Sequence, residues 1–249
     1  MNPHRTDELR LAFMLLSRLP MGTIPGTAPT MAASAWAWPL VGLAVGGIMA
    51  LVLATALWLG LPPLMAALLA LSAGALSTGG MHEDGLADLA DGFGGGRDRA
   101  AKLEIMRDSR IGSYGVIALV LALSFRGMGI ATLAEAGQAG FALIGIAAAS
   151  RAILPAALIL MPAARREGLG HSAAGTDQTP AIIAAALGFA YLLPLGFGTA
   201  IVAGFTMILA ALVLAGLAIR QIGGQTGDVL GAMQQITECA GWLALAALV

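Results

Sequence analysis

Apolar runs long enough to cross a lipid bilayer follow one another along most of this chain, which restricts it to a membrane fold. The mean hydropathy is +0.86, and only 11% of the 249 residues are charged, whereas about a quarter of a soluble domain is charged. Alanine and leucine favour helices, and no segment alternates as a membrane β-barrel does. The sequence therefore predicts an all-α, polytopic transmembrane helical bundle. The net charge of -1 gives no reason to expect a nucleic-acid partner.

About seven apolar runs approach the length of about 20 residues that a helix needs to cross the bilayer. These predicted spans lie at 39–60, 63–80, 113–133, 140–162, 181–195, 199–219 and 229–249. The fifth and sixth share one apolar stretch, which Pro194 and the glycines after it divide with a turn. Before the first span, residues 6–19 predict an amphipathic helix that lies in the membrane interface, with Thr6 as its cap and Pro20 as its end.

Cationic residues are distributed unevenly between the predicted loops. Lys and Arg precede the first span and recur in every second loop, while the loops at 61–62, 134–139 and 196–198 contain none. By the positive-inside rule, this asymmetry puts the N-terminus and the charged loops in the cytoplasm. The sequence shows no internal repeat and no linker rich in proline or serine. We therefore expect one integral-membrane domain over residues 1–249, with its chemistry on the cytoplasmic face.

The densest group of acidic residues in this apolar chain lies directly after the second predicted span. It consists of four acidic residues, Glu83, Asp84, Asp88 and Asp91. On a helix of about 3.6 residues per turn, the three aspartates fall on one face, within about 60° of one another. Carboxylates so placed repel each other unless a cation lies between them, and hard divalent metals prefer oxygen ligands. The alternative is a solvated loop with charge for topology, but acidic residues contribute little to topology. The segment therefore predicts a metal site at the membrane edge.

Two segments after these acids combine arginine with glycine or with further acids. The stretch 92–99 suits a phosphate, because glycine lets backbone N–H groups approach an anion closely beside Arg97. The alternative for this stretch is a flexible turn between two helices. In the helix that follows, Arg107 and Arg110 are candidate anion ligands, and Asp108 is a candidate for the metal site. Alternatively, these charges form ion pairs with one another.

Five further polar residues lie inside or beside the predicted spans. Arg151 falls near the middle of its span, where an ionisable residue is costly and usually faces a polar cavity or a partner. Arg126 either does the same, snorkels to the interface or pairs with an acid, and Glu238 is an acid within an apolar span that is a candidate partner for a buried Arg. Asp228 is a candidate metal ligand or an N-cap of the last span. His171 either contacts a substrate or is a solvated loop residue.

Three long motifs and a shorter N-terminal pattern follow one another in order along nearly the whole chain. The motifs are GMHEDGLADLADG at 80–92, LEIMRDSRIG at 103–112 and GGQTGDVLGA at 223–232. The N-terminal pattern is FMLLSRLP at 13–20 and WPLVG at 38–42. Together they resemble the cobalamin synthase family. The chain departs from that family at Arg107 and Arg126, where Lys is expected, and both departures keep the charge.

The resemblance implies an enzyme that completes the lower nucleotide loop of vitamin B12. In that reaction adenosylcobinamide-GDP and α-ribazole, or its 5′-phosphate, give adenosylcobalamin, or its 5′-phosphate, and GMP. The family is Mg²⁺-dependent and bound to a membrane, which for a bacterial cell is the inner membrane. A homo-oligomer, or a complex with other enzymes of cobalamin assembly, is left open.

The resemblance and the residue patterns together define the expected site. The residues expected to hold Mg²⁺ on the diphosphate are Glu83, Asp84, Asp88, Asp91 and Asp228. The residues expected to be catalytic are Asp84, Asp88, Asp91 and Asp108, with Asp91 or Asp108 accepting the proton of the attacking hydroxyl. The residues expected to contact substrate are Arg97, Lys102, Arg107, Arg110, Arg151, His171 and Thr226.

Two alternative functions remain open at this level. Arginine and glutamate inside spans are compatible with a transporter of a corrinoid or a cation, although transporter sites usually lie near the middle of the bilayer. Residues 88–92 also echo the start of the acidic motif of CDP-alcohol phosphotransferases, although the remaining spacing departs from it. A lipid head-group enzyme is therefore the second alternative.

Overall fold

A computed structural model describes residues 3–165 and 177–249 of the chain. These residues form α-helices joined by short loops, with two short 3₁₀ turns at Ala35–Ala37 and Leu193–Leu195. The α-helices are α1 (Pro3–Leu16), α2 (Met31–Ser34), α3 (Trp38–Trp58), α4 (Pro63–Thr78), α5 (Met81–Gly95), α6 (Arg99–Ile105), α7 (Ser113–Glu135), α8 (Ala139–Leu160), α9 (Thr179–Leu192), α10 (Phe197–Ile222) and α11 (Gly227–Ala246). The all-helical prediction is confirmed for the described part of the chain.

By length and composition, four helical segments can cross a membrane: Met31–Trp58, which joins α2 to α3, and the helices α7, α8 and α10. The number rises to five if α4 and α5 form one broken span. The predicted number of seven spans is therefore not confirmed, although a helix occupies each predicted run. Helices α4 and α9 have only 16 and 14 residues, fewer than the roughly 20 that a crossing needs. Helix α11 has 20 residues, but polar and charged residues interrupt its apolar sequence.

Two consecutive glycines separate α4 from α5 and set the direction of the acidic helix. Gly79 and Gly80 have φ angles of 72° and 71°, a left-handed conformation that residues with a Cβ rarely adopt. The chain bends by 91° at this point. As a result, α5 leaves the axis of α4 and packs against α7 and α11.

Helix α8 lies at the centre of the bundle, with α3, α9 and α11 packed around it. Its contact with α3 depends on small residues. A Cβ atom on Gly42 would lie 2.2 Å from the carbonyl oxygen of Ala147, and one on Gly46 would lie 2.7 Å from that of Leu143. Such close backbone approach is how membrane helices gain packing contacts without a hydrophobic driving force.

Replacement of Gly42 by Val is expected to destabilise the bundle, because the new side chain would overlap the backbone of α8. Overpacking of this kind costs about 1–3 kcal/mol or more. The measurement is the unfolding temperature of the detergent-purified protein. Gly47→Val on the same helix is the control, because a Cβ there meets nothing within 4 Å. Equal unfolding temperatures for the two variants would contradict the packing described here.

Candidate active site

The acidic segment forms helix α5, as predicted, and its aspartates are arranged by depth. Asp84 is exposed, Asp88 is half-buried, and Asp91 is only 7% exposed. The helical spacing of these residues keeps them on one stripe. The stripe therefore runs from the surface of the protein into the bundle.

The start of α11 brings a fourth aspartate to this stripe. Thr226 caps the helix: its hydroxyl accepts a hydrogen bond from the backbone N–H of Val229 at 3.2 Å and donates one to the Asp228 carboxylate at 3.2 Å. Helix α5 meets this turn at Gly85, where a Cβ would lie 3.0 Å from the carbonyl oxygen of Asp228 and 3.2 Å from its Cα. The N-cap of α11 is therefore Thr226 and not Asp228, the candidate predicted from the sequence, and Asp228 lies in the first turn beside α5.

Asp84, Asp88 and Asp228 are close enough to affect one another's ionisation, and we call these three residues the acidic site. The pKa of Asp88 is raised to about 6, first by burial and then by the negative charges of Asp84, Asp228 and Asp91, while Arg165 opposes the shift. Burial raises the pKa of Asp228 as well, with a further contribution from Asp84. Burial and the neighbouring carboxylates together disfavour the charged form of Asp88, and Arg165 opposes this only in part. A cation among these carboxylates would favour their charged forms.

The acidic site fits Mg²⁺ better than it fits a metal enclosed by protein side chains. Within residues 3–165 and 177–249, no three His, Cys, Asp or Glu side chains form a group that could hold a metal ion. However, Mg²⁺ keeps several waters and is usually bound through one or two carboxylates together with the phosphates of a substrate. An oxygen-only donor set with excess negative charge, open on the Asp84 side, meets that requirement.

Two of the predicted metal ligands are engaged by other parts of the protein. Glu83 Oε1 accepts hydrogen bonds from Gln235 Nε2 at 3.0 Å and from Arg126 Nη1 at 3.3 Å. The Asp91 carboxylate accepts the backbone N–H groups of Gly112 at 2.6 Å and Gly115 at 2.9 Å. Asp91 thus anchors the first turn of α7 to α5, and Glu83 is tied to the interior of the bundle. Metal ligation by either side chain stays a prediction.

Replacement of Asp91 by Asn is expected to lower stability, because one side-chain amide oxygen replaces two carboxylate oxygens. One buried backbone N–H then faces the NH₂ group of Asn and loses its acceptor, which lowers the free energy of unfolding by about 1–3 kcal/mol. The unfolding temperature of the metal-free protein measures the effect. Asp84→Asn, an exposed change on the same helix, serves as the control and is expected to unfold like the original chain. A loss of similar size in both variants would argue against the anchoring role.

The cationic residues predicted to contact substrate divide into exposed and engaged side chains. Arg97 and Arg107 are exposed and accessible to a substrate. Lys102 donates from Nζ to the carbonyl oxygen of Phe93 at 2.9 Å and thereby fastens α6 to the last turn of α5. The glycine-rich stretch is partly helical and partly the turn before α6, so the predicted turn is present and phosphate contact stays a prediction.

Asp108 and Arg110 form an exposed, two-pronged ion pair. Arg110 donates from Nε at 3.1 Å and from Nη2 at 2.6 Å to the two carboxylate oxygens. This contact lowers the pKa of Asp108. The alternative of mutual ion pairing in this segment is therefore the arrangement observed for these two residues. A carboxyl held in its ionised form by arginine is a weak proton acceptor.

Arg151 lies inside the bundle and is 2% exposed. Its Nη1 lies 3.5 Å from Glu238 Oε1 and donates to the carbonyl oxygen of Ala147 at 3.0 Å. The side chain therefore has a buried acidic partner and does not line an open substrate site. Thr226 is likewise 5% exposed and engaged as the cap of α11. His171 lies outside the described residues.

Arg165 is a site residue that the sequence did not single out. Its Nη2 lies 3.6 Å from Asp228 Oδ2 and donates to the carbonyl oxygen of Leu103 at 3.3 Å. The chain after α8 is held there by paired backbone hydrogen bonds, from Gln225 to Pro162 at 2.8 Å and from Ala164 to Gln225 at 2.9 Å. The sequence showed Arg165 only as a loop charge, since this pairing joins segments far apart in the chain.

The fold and the site define a helical membrane protein with several candidate spans and a cluster of carboxylates where α5 packs against the start of α11. Residues 8–246 match the model of the family described as cobalamin-5-phosphate synthase, and the chain belongs to that family.

Curated relatives extend over most of the chain. An adenosylcobinamide-GDP ribazoletransferase of Bradyrhizobium diazoefficiens is 49% identical, with 93% of this chain and 90% of the relative covered. The corresponding protein of Mesorhizobium japonicum is 47% identical over 94% of this chain and 90% of the relative. That of Sinorhizobium medicae is 41% identical over 96% and 97%. No solved structure matches this chain.

Proposed function

We propose that this chain joins adenosylcobinamide-GDP to α-ribazole, or to α-ribazole 5′-phosphate, in the last steps of cobalamin biosynthesis. The products are adenosylcobalamin, or its 5′-phosphate, and GMP. The observation that carries the proposal is the family match over residues 8–246, to which relatives named for this transferase activity add nearly full-length similarity. The acidic site supplies a chemical reason why such a chain can act on a diphosphate.

The proposed magnesium site consists of Asp84, Asp88 and Asp228. These residues supply only oxygen donors, and the pKa of Asp88 is raised first by burial and then by the negative charges of its neighbours. A divalent cation would offset that negative charge. A bound Mg²⁺ would offset negative charge on the diphosphate and on the departing GMP. Because the site is open at Asp84, the phosphates of a substrate can complete the coordination.

The proposed transfer replaces the phosphoanhydride bond to GMP by a phosphodiester bond to ribazole, at the phosphorus attached to cobinamide. A ribazole hydroxyl forms the new P–O bond as the bond to GMP breaks, and GMP leaves with its phosphate. A carboxylate oxygen of the acidic site takes the hydroxyl proton, because Asp91 accepts two backbone N–H groups and Asp108 is paired with Arg110. Arg97 and Arg107, which are exposed, bind the phosphates. Most of the rate gain comes from positioning and electrostatics.

The proposed setting is the bacterial inner membrane, with the acidic site on the cytoplasmic side. The positive-inside rule supports this orientation, because Arg165 pairs with Asp228 of the acidic site and donates to the carbonyl oxygen of Leu103. Leu103 belongs to the segment between α5 and α7 that also contains Arg97 and Arg107. The partners are the two soluble substrates and the lipid bilayer, without nucleic acid. A homo-oligomer or contact with other cobalamin-assembly enzymes would be compatible with this orientation.

The test is product formation by the purified chain in liposomes. With Mg²⁺, adenosylcobinamide-GDP and α-ribazole, we expect one GMP released for each cobalamin formed, and no product when EDTA removes the metal. Uptake of substrate into sealed liposomes without GMP release would instead support a transporter. Turnover of a CDP-linked lipid without cobalamin formation would support a lipid head-group enzyme. Either outcome would overturn the proposal.

A further inference from the structure

Four ionisable side chains form a buried charge network among α5, α7, α8 and α11. They are Glu83, Arg126, Arg151 and Glu238. Arg126 Nη2 lies 2.7 Å from Glu238 Oε2, and Arg151 Nη1 lies 3.5 Å from Glu238 Oε1. The side chains of Arg126 and Glu238 are only 5% and 4% exposed. Buried charges are expensive unless paired, so a network of this size indicates a specific role.

Helix α5 contributes one carboxylate, that of Glu83, to this network. Glu83 Oε1 accepts hydrogen bonds from Arg126 Nη1 at 3.3 Å and from Gln235 Nε2 at 3.0 Å. Arg126 Nη1 also donates a hydrogen bond to Gln235 Oε1 at 2.5 Å. Glu83, Arg126 and Gln235 thus form a triangle that joins α5, α7 and α11. The other oxygen of Glu83, Oε2, is buried too, so this carboxylate is withdrawn from the surface where Asp84 is exposed.

The packing between α5 and α11 explains why such a connection matters. The two helices touch through glycines: a Cβ on Gly85 would lie 3.2 Å from Gly231 Cα, and a Cβ on Gly231 would lie 3.4 Å from Gly85 Cα. Contact between bare backbones permits close approach, and at these two glycines no side chain interlocks to resist sliding or rotation. Asp84 and Asp228 flank this contact, so a small rotation of α5 would change the spacing of the acidic site.

We propose that Glu83 and Arg126 are positioning residues that hold α5 in register against α11, so that Asp84 and Asp88 face Asp228. This inference rests on the proposed function, since it concerns the magnesium site of that reaction. Glu83 acts through Arg126 and Gln235 rather than as a metal ligand. Partners that orient metal ligands typically change metal affinity by about 10–100-fold when they are lost.

The test is a double-mutant cycle with Glu83→Gln, Arg126→Gln and the double variant. Each single variant is expected to raise the Mg²⁺ concentration for half-maximal GMP release by about tenfold, while kcat at saturating Mg²⁺ stays within about threefold. The double variant is expected to resemble the singles, because both substitutions break one contact. The Mg²⁺-induced rise in unfolding temperature, measured without substrate, is expected to need the same higher concentrations.

Leu143→Ala is the matched control, because it removes a buried side chain of α8 that is 1% exposed and lies outside the network. It is expected to lower the unfolding temperature without changing the Mg²⁺ requirement. If Arg126→Gln does not accumulate in the membrane, Gln235→Leu, which removes the other hydrogen-bond donor to Glu83, replaces it in the cycle, with the same direction of effect.

Three outcomes would overturn the inference. An unchanged Mg²⁺ requirement in both single variants would exclude a positioning role. A change in Glu83→Gln alone would make Glu83 a direct ligand, and effects that multiply in the double variant would make the two residues independent. The proposed function fails separately, if the unaltered chain itself releases no GMP. In that case the unfolding measurement with Mg²⁺ still decides the positioning role.

Discussion

Replacement of Asp88 by Asn is expected to lower the rate of GMP release by about 10²–10³-fold, the usual cost of one preorganised charge-stabilising group. The pKa of Asp88 is raised by burial and by the negative charges of Asp84 and Asp228, the other two residues of the acidic site. Loss of its charge removes one oxygen ligand of the cation and reduces the total negative charge of the acidic site. The measurement is the initial rate of GMP release at saturating Mg²⁺ and substrates.

The same substitution is expected to leave the metal-free protein at least as stable as the original chain at neutral pH. The pKa of Asp88 in the folded protein is about 6, above its value of about 3.9 in an unfolded chain. The favourable contribution of the protonated group is therefore complete below the unfolded pKa and is lost as the pH rises through about 6. Above that pH the ionised carboxylate opposes folding, and Asn removes this opposition. Unfolding temperatures between pH 5 and pH 7.5, in EDTA, measure the difference.

Glu135→Gln, an exposed carboxylate at the far end of α7, is the control for both effects. We expect it to match the original chain in rate and in stability. If Asp88→Asn lost stability in EDTA and activity in parallel, the loss of activity would reflect misfolding. The acidic site would then be structural.

Replacement of Glu238 by Leu is expected to have the largest effect on stability. This side chain accepts from Arg126 and Arg151 and also from Gln234 Nε2 at 2.5 Å and Ser150 Oγ at 3.3 Å. Without it, Arg151 has no acidic side chain within ion-pair distance among the described residues. Removal of one partner from a buried ion pair costs about 3–5 kcal/mol. The fraction of folded protein recovered from membranes and its unfolding temperature measure the loss.

A compensating variant separates charge imbalance from loss of packing. In Glu238→Leu with Arg151→Leu, one positive and one negative charge are removed together, and Arg126 keeps Glu83 as its partner. We expect this double variant to recover much of the lost stability, because apolar replacement of a buried pair is often neutral or stabilising. A double variant less stable than Glu238→Leu would contradict the description of this network.

The positions of the helices followed from the sequence better than their relation to the membrane did. A helix lies at each predicted apolar run. The predicted turn that divides the fifth run from the sixth lies at Gly196, where φ is 97°. Whether a helix crosses the bilayer depends on length and direction, and the 91° bend after α4 arises from two glycines whose left-handed φ angles no hydropathy pattern reveals. For α11, the polar face is explained by partners from three other helices, which the sequence does not bring together.

For the site, local spacing predicted what one helix can show and missed what several helices assemble. The stripe of Asp84 and Asp88 follows from helical periodicity alone, and Asp228 was recognised beside a glycine-rich turn. The partners of Glu83 and Asp91 lie on α7 and α11, more than twenty positions along the chain. The sequence alone does not distinguish a carboxylate that anchors a backbone segment from one that binds a metal.

The claim that the acidic site holds the divalent ion of the reaction is tested most directly by Mn²⁺ binding. Mn²⁺ replaces Mg²⁺ at oxygen sites and can be counted by electron paramagnetic resonance in the purified chain. We expect adenosylcobinamide-GDP to strengthen Mn²⁺ binding to the original chain and to Glu135→Gln. We expect Asp88→Asn and Asp228→Asn each to weaken Mn²⁺ binding at least tenfold. Equal Mn²⁺ binding by all four proteins would contradict this claim.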